Sequence, residues 1–318
     1  MLSQNQLPNP SQFANDWIEH ISSECLSTEP SGTVRVSLAV PWKEWFRYLA
    51  KLRQSLHLAR SGVAVLGTTC PGSLRPGPHS EPLRYSECGL FSPNLAEYAA
   101  TDAICEPSPD QPRYSLEIRD GTGIQTHRIV IPPSEALATF QAFIRTYHTP
   151  RKMRHSWFPP NHTSSAARRR KIAGRFPWLR YLYENRDPNV TPITRGHLEN
   201  VLNRCISEKQ AIKTIIYNQS LILGALWTPE HCELAQESSG NPSHQMIRYF
   251  GRQTGLELLP SAPATVWLWT GTCSCCNESH WSLEVGGKSD ELALAIHSGH
   301  NHHELSWQHF LTEAISSV

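Results

Sequence analysis

Three thiols fall within four residues, Cys273-Ser-Cys275-Cys276, and His280 follows shortly after; a second run, His297-Ser-Gly-His300-Asn-His302-His303, lies one hairpin further on. Thiolate sulfur and imidazole nitrogen are the donors of tetrahedral Zn²⁺ and, in soft ligand sets, of Cu(I). The candidate metal set is therefore Cys273, Cys275, Cys276, His280, His297 and His300, with zinc as the candidate ion. The spacing lacks the paired Cys-x-x-Cys knuckles of a zinc ribbon, so the alternative is an exposed polar loop with incidental Cys and His.

A second concentration of chemistry is electrostatic. From Ala136 to Tyr183 there is no Asp or Glu, while Arg145, Arg151, Lys152, Arg154, Arg168, Arg169, Arg170, Lys171, Arg175 and Arg180 are present. The same stretch carries His148, His155 and His162 and the run Trp157-Phe158-Pro159-Pro160. A ligand combining a metal that accepts a nitrogen donor with acidic groups suits this mixture; the bland alternative is a solvated basic linker. No RNP, zinc-finger or helix-turn-helix signature accompanies the Arg run, so no nucleic-acid partner is expected. No nucleophilic triad, phosphate-binding Gly loop or pair of catalytic carboxylates stands out.

The elements that must position these groups are written twice. Residues 113–144 and 280–311 align without a gap: Tyr114-Ser-Leu-Glu-Ile118 falls on Trp281-Ser-Leu-Glu-Val285, Ile129 on Ile296, Phe140 on Trp307 and Phe143 on Phe310. In each copy two β-branched and aromatic runs flank a turn, at Asp120-Gly121 and at Gly286-Gly287, which predicts a hairpin. A helix follows, with apolar residues three or four apart (Leu137, Phe140, Phe143, Ile144; Leu305, Trp307, Phe310, Leu311). Alternation predicts that Leu116, Ile118, Ile129 and Ile131 are buried like Leu283, Val285, Leu294 and Ile296, while Glu117 and Glu284 face outward. Strand pairs are expected at 55–59 with 63–68 and at 211–217 with 221–226, a helix from Pro41 and another over Thr194–Arg204. Residues 71–95, rich in Gly and Pro, read as a long loop.

The resulting fold class is α+β, two tandem structural repeats, each a mainly antiparallel sheet with flanking helices and one sheet per half. The division expected is a first repeat over 1–150, a basic linker and start of the second repeat over 151–190, and the second repeat over 191–318. In an antiparallel meander the third strand returns to the end where the first two connect, so the Cys tip and the His loop are expected to meet. The 29 Lys+Arg and 28 Asp+Glu nearly cancel, which argues against a general membrane or nucleic-acid surface. No secretory pattern or apolar run long enough to span a membrane is seen, and the expected location is cytoplasmic. An odd count of nine Cys fits free thiols or a metal better than a disulfide framework.

The duplicated plan resembles the cytoplasmic haem-utilisation proteins of the HemS/ChuS type, whose second repeat opens with a His-x-Phe-Phe segment followed by His-x-x-x-Arg-x-x-Ala-x-Arg-x-Ala-Gly. Here the similar segments are His155-Ser-Trp-Phe158 and His162-Thr-Ser-Ser-Ala-Ala-Arg-Arg-Arg-Lys-Ile-Ala-Gly174; Leu58-Ala-Arg60-Ser61 resembles the family's Leu-Thr-Arg-Asn, and Leu256–Leu259 with Ala264–Gly271 resembles a further strand segment. At Leu259, Thr270 and Gly271 this chain lacks the family's basic residues. The resemblance implies haem as cofactor and partner, held by His155 on the iron, Arg60, Arg168 and Arg169 on the carboxylates, and Trp157 and Phe158 over the porphyrin. It also implies a haem donor or acceptor protein as partner, and either transfer or degradation of haem. The alternative is a non-enzymatic metal- or partner-binding protein that keeps the fold and has lost the haem pocket.

Overall fold

The structure, a computed structural model, describes residues 15, 31–49, 51, 54–71, 89–93, 98–109, 111–121, 123–131, 136–149, 189–218, 221–236, 245–259, 265–272, 279–286, 292–299 and 304–317. The first half contributes β1 (Val34–Leu38), α1 (Trp42–Leu49), β2 (Gln54–Arg60), β3 (Ala64–Pro71), β4 (Gly89–Pro93), β5 (Tyr98–Glu106), β6 (Arg113–Asp120), β7 (Gln125–Ile131) and α2 (Ala136–Tyr147). The second contributes β8 (Asn189–Ile193), α3 (Arg195–Ser207), β9 (Ile212–Tyr217), β10 (Leu221–Trp227), β11 (His231–Gln236), β12 (Gln245–Phe250), β13 (Thr254–Leu258), β14 (Thr265–Thr272), β15 (Ser279–Gly286), β16 (Leu292–Ser298) and α4 (Glu304–Ser316).

These strands form two antiparallel sheets. One has nine strands in the order β1-β5-β6-β7-β2-β3-β13-β12-β11, the other seven in the order β8-β14-β15-β16-β9-β10-β4. The first six positions of each are the same path through the two halves, so the repeat extends well beyond the hairpin and helix. At the edge left by β3 and by β10 the halves exchange strands: β13 pairs with β3, and β4 pairs with β10. This corrects two expectations. A sheet does not belong to one half alone, and the stretch 71–95 holds a strand, Gly89–Pro93, whose partner lies in the second half. The exchange covers an apolar edge that would otherwise present unpaired N–H and C=O groups, since Val65 and Leu66 are fully buried on opposite faces of β3.

The repeated positions pack alike. Leu116 and Leu283, Ile118 and Val285, and Ile129 and Ile296 are all 0–3% exposed, as are Phe140 and Trp307 on the closing helices. Tyr48 of α1 stacks on Phe143 of α2 at 4.1 Å, and Trp307 on Phe310 at 5.3 Å. Leu305 departs from its expected place in the apolar stripe and points to solvent in the first turn of α4. The left-handed residue of the β6–β7 turn is Gly123 (φ 84°), two positions after Gly121, where Asp120 Oδ1 accepts from Ile124 N–H at 3.1 Å. Thr194 caps α3 in a capping box with His197.

Glu117 and Glu284 are buried rather than outward-facing, at 2% and 0% exposure. Alternation does place Glu117 on the opposite face from Leu116 and Ile118, but that second face is covered as well. Arg35 donates to both Asp102 and Glu117, Arg128 Nη2 lies 2.7 Å from Glu106, and Arg248 Nε donates to Glu257 at 2.6 Å. A charged residue enters a buried face when a partner of opposite charge arrives with it.

Candidate functional site

Of the candidate metal set, the structure describes His280 and His297, at one end of the seven-stranded sheet. β14 and β15 pair down to Thr272 with Ser279, so the residues 273–278 join them at one end. At that end His280 is the second residue of β15, and His297 sits on β16 directly opposite Ser282 of β15 on one side and Lys213 of β9 on the other. His280 and His297 are each 5% exposed. Neither ring nitrogen of His297 has a hydrogen-bond partner among the described residues. Burial, then the Lys213 ammonium, then His280 pull the His297 pKa down to about 3, so this ring is neutral at ordinary pH. Cys273, Cys275, Cys276 and His300 lie outside the described residues. Among the described residues no three His, Cys, Asp or Glu side chains are grouped to hold a metal. Cys105, Cys205 and Cys232 are free thiols.

Of the residues implied to hold haem, Arg60 is described; His155, Trp157, Phe158, Arg168 and Arg169 lie outside the described residues. Arg60 ends β2, half-buried, on the same sheet face as Leu56, Leu58 and Val65. Its backbone carbonyl accepts from Asn218 Nδ2 at 2.9 Å, and the same amide donates to the carbonyl of Thr126. One side chain at the tip of the β9–β10 hairpin thereby ties the second half to two strands of the first. Arg60 and His297 are not brought together: Asn218 is five residues along from Lys213, about 16 Å at strand rise. Leu259 lies in an apolar cluster with Leu56, Leu58 and Phe250, and Thr270 lies beside the edge strand β8.

The sequence reading missed a buried imidazole pair. His57 Nδ1 and His127 Nε2 are 3.2 Å apart, and His57 Nε2 is 2.9 Å from Ser55 Oγ. Phe91, from the exchanged strand β4, lies 5.7 Å from His57 and 5.1 Å from His127 between ring centroids, and the Trp45 ring edge approaches His127. Burial lowers the His57 pKa to about 3 and lowers that of His127, to which His57 adds a repulsive contribution. In Ser55-Leu-His57-Leu-Ala59-Arg60 the alternation assigns Leu56 and Leu58 to the core and His57 to solvent; with both faces covered, that signal carries no information about His57.

No protein-family model matches the sequence, and no curated protein matches it at a significant level. Solved structures do match. A crystal structure of ChuS described as an Escherichia coli heme oxygenase has a TM-score of 0.68 at 11% identity, covering 88% of this chain and 89% of that one. Coordinates for the E. coli O157:H7 heme degrading enzyme ChuS give 0.68 at 12%, covering 97% and 99%. Holo-PhuS, a heme-binding protein from Pseudomonas aeruginosa, gives 0.67 at 13%, covering 95% and 98%. Near-complete coverage in both directions, with two sheets and sixteen strands to place, makes this chain similar in fold to ChuS and PhuS from one end of its described residues to the other.

Proposed function

We propose that this chain is a haem-binding protein of haem and iron utilisation, serving in the transfer or the degradation of haem. The observation that carries this reading is the fold, shared over nearly the full length with structures described as a heme-binding protein and a heme oxygenase. The donor types of this chain suit the group. An imidazole coordinates the iron, guanidinium groups pair with the two carboxylates in fork geometry, and aromatic rings cover the porphyrin. The proposed roles are His155 on the iron, Arg60, Arg168 and Arg169 at the carboxylates, and Trp157 and Phe158 on the ring faces. Arg60 beside Leu56, Leu58 and Val65 is in the setting that favours such pairing, because an apolar surround strengthens a guanidinium–carboxylate bond relative to bulk water. A haem donor or acceptor protein is the partner this role requires. Among the described residues no helix is long and apolar enough to cross a membrane.

Titration of the purified protein with hemin tests the reading. A shifted Soret band that saturates at about one hemin per chain is expected. A spectrum equal to that of free hemin at all ratios would overturn it.

A further inference from the structure

His297 is a buried donor and acceptor with nothing described to donate to or accept from. Buried polar side chains as a rule have their groups engaged, and a neutral imidazole carries one N–H and one lone pair to engage. At 5% exposure, with both nitrogens unclaimed among the described residues, His297 departs from that rule. A second imidazole stands next to it: His280 lies diagonally across the β15–β16 ladder, equally buried, and close enough to act on His297 electrostatically. Diagonal pairs on an antiparallel ladder are about 7–8 Å apart at the backbone, a span that two imidazoles close when both point at one ion about 2.0–2.1 Å from each nitrogen. We propose that His280 and His297 ligate a transition-metal ion, with zinc as the reference case, at this end of the seven-stranded sheet.

The surroundings define what such a site demands. Lys213 stands in register with His297 on β9 and so places an ammonium beside the pair. The same ammonium repels a bare dication, so the remaining ligands must be anionic. The ion is separate from haem iron, and its binding does not depend on the haem reading.

The test uses the untagged full chain, stripped with a chelator, incubated with Zn²⁺ and desalted, with zinc per chain, affinity and melting temperature measured. Wild type and the exposed-site control His309→Gln are expected to retain about one zinc and to melt higher with it. His280→Gln and His297→Gln, which keep size and polarity, are expected to bind at least about tenfold more weakly. Should either variant lose its fold, ¹⁵N spectra of histidine-labelled wild type decide, with two imidazole signals expected to shift on adding Zn²⁺. Wild type that keeps no zinc, zinc retained equally by both Gln variants, or unmoved imidazole signals would overturn the proposal. So would loss of hemin binding in both variants with zinc binding unchanged, which would assign the pair to haem instead.

Discussion

His57 Nδ1 lies 3.2 Å from His127 Nε2 in the interior of the protein, beneath a phenylalanine that belongs to the other sheet. The pair is compatible with a single tautomeric arrangement in which one ring donates to the other, and it has no room for a second proton without placing a charge among Phe91, Trp45 and Ile129.

The pair therefore makes stability depend on pH. In the unfolded chain a histidine takes up a proton near pH 6.5, whereas folded His57 stays neutral down to about pH 3. The unfolded state binds more protons throughout that window, so stability is complete above about pH 6.5 and falls as the pH drops toward about 3. Between pH 7 and pH 5 each such histidine should cost about 2 kcal/mol. Urea midpoints for wild type and His57→Asn/His127→Asn at the two pH values measure this. The double variant should lose less between them, and equal losses would mean that the pair is not held neutral.

Phe140→Ala and Trp307→Ala remove equivalent, fully buried rings from the two closing helices. Each should destabilise by about 3–5 kcal/mol in denaturant unfolding, while Leu305→Ala should change little, within about 0.5 kcal/mol. A large effect at Leu305 would contradict its exposed position.

Arg248 and Glu257 form a buried ion pair on adjacent exchanged strands. Replacing Arg248 by Met alone leaves a buried carboxylate and should cost about 3–5 kcal/mol, whereas Arg248→Met with Glu257→Leu should recover most of that loss. A double variant no more stable than the single one would show that the pair itself is required.

For haem, His155→Ala should weaken hemin binding by about tenfold or more, and His148→Ala and His162→Ala by less. His148 sits at the end of α2 in a bridge to Leu38, which gives it a structural place. Identical hemin spectra for all three variants would remove His155 from the iron.

How much of this was legible follows from what alternation can see. Leu116, Ile118, Leu283 and Val285 announce themselves because their neighbours in the chain are polar, and Phe140 and Trp307 because helical spacing sets them on one face. Glu117, Glu284 and His57 mislead for a common reason: in a sheet covered on both sides, polarity no longer marks solvent, and only the partner across the strand, Arg35 for Glu117, explains the burial. The exchange of β4 and β13 is beyond local reading, since β3 contains nothing that specifies a partner so distant in sequence. At the candidate site, the placing of His280 and His297 on one face of neighbouring strands follows from meander geometry, whereas the lack of a hydrogen-bond partner for His297 among the described residues is a property of packing that no spacing reveals.

The crossing of β13 onto β3 also has a timing. Val65 meets its partner Glu257 about 190 residues later in synthesis, which at roughly 5–20 residues per second is a delay on the order of 10–40 s. Throughout that interval the nascent first half carries an open apolar edge at β3 and, until Leu221–Trp227 is made, a strand β4 with no docking place on β10. A leading chain on the same message that has already made β13 can offer it to the open β3 of the chain behind, so the ribosome spacing along the message becomes a determinant of whether the product is a single chain or an interlocked pair.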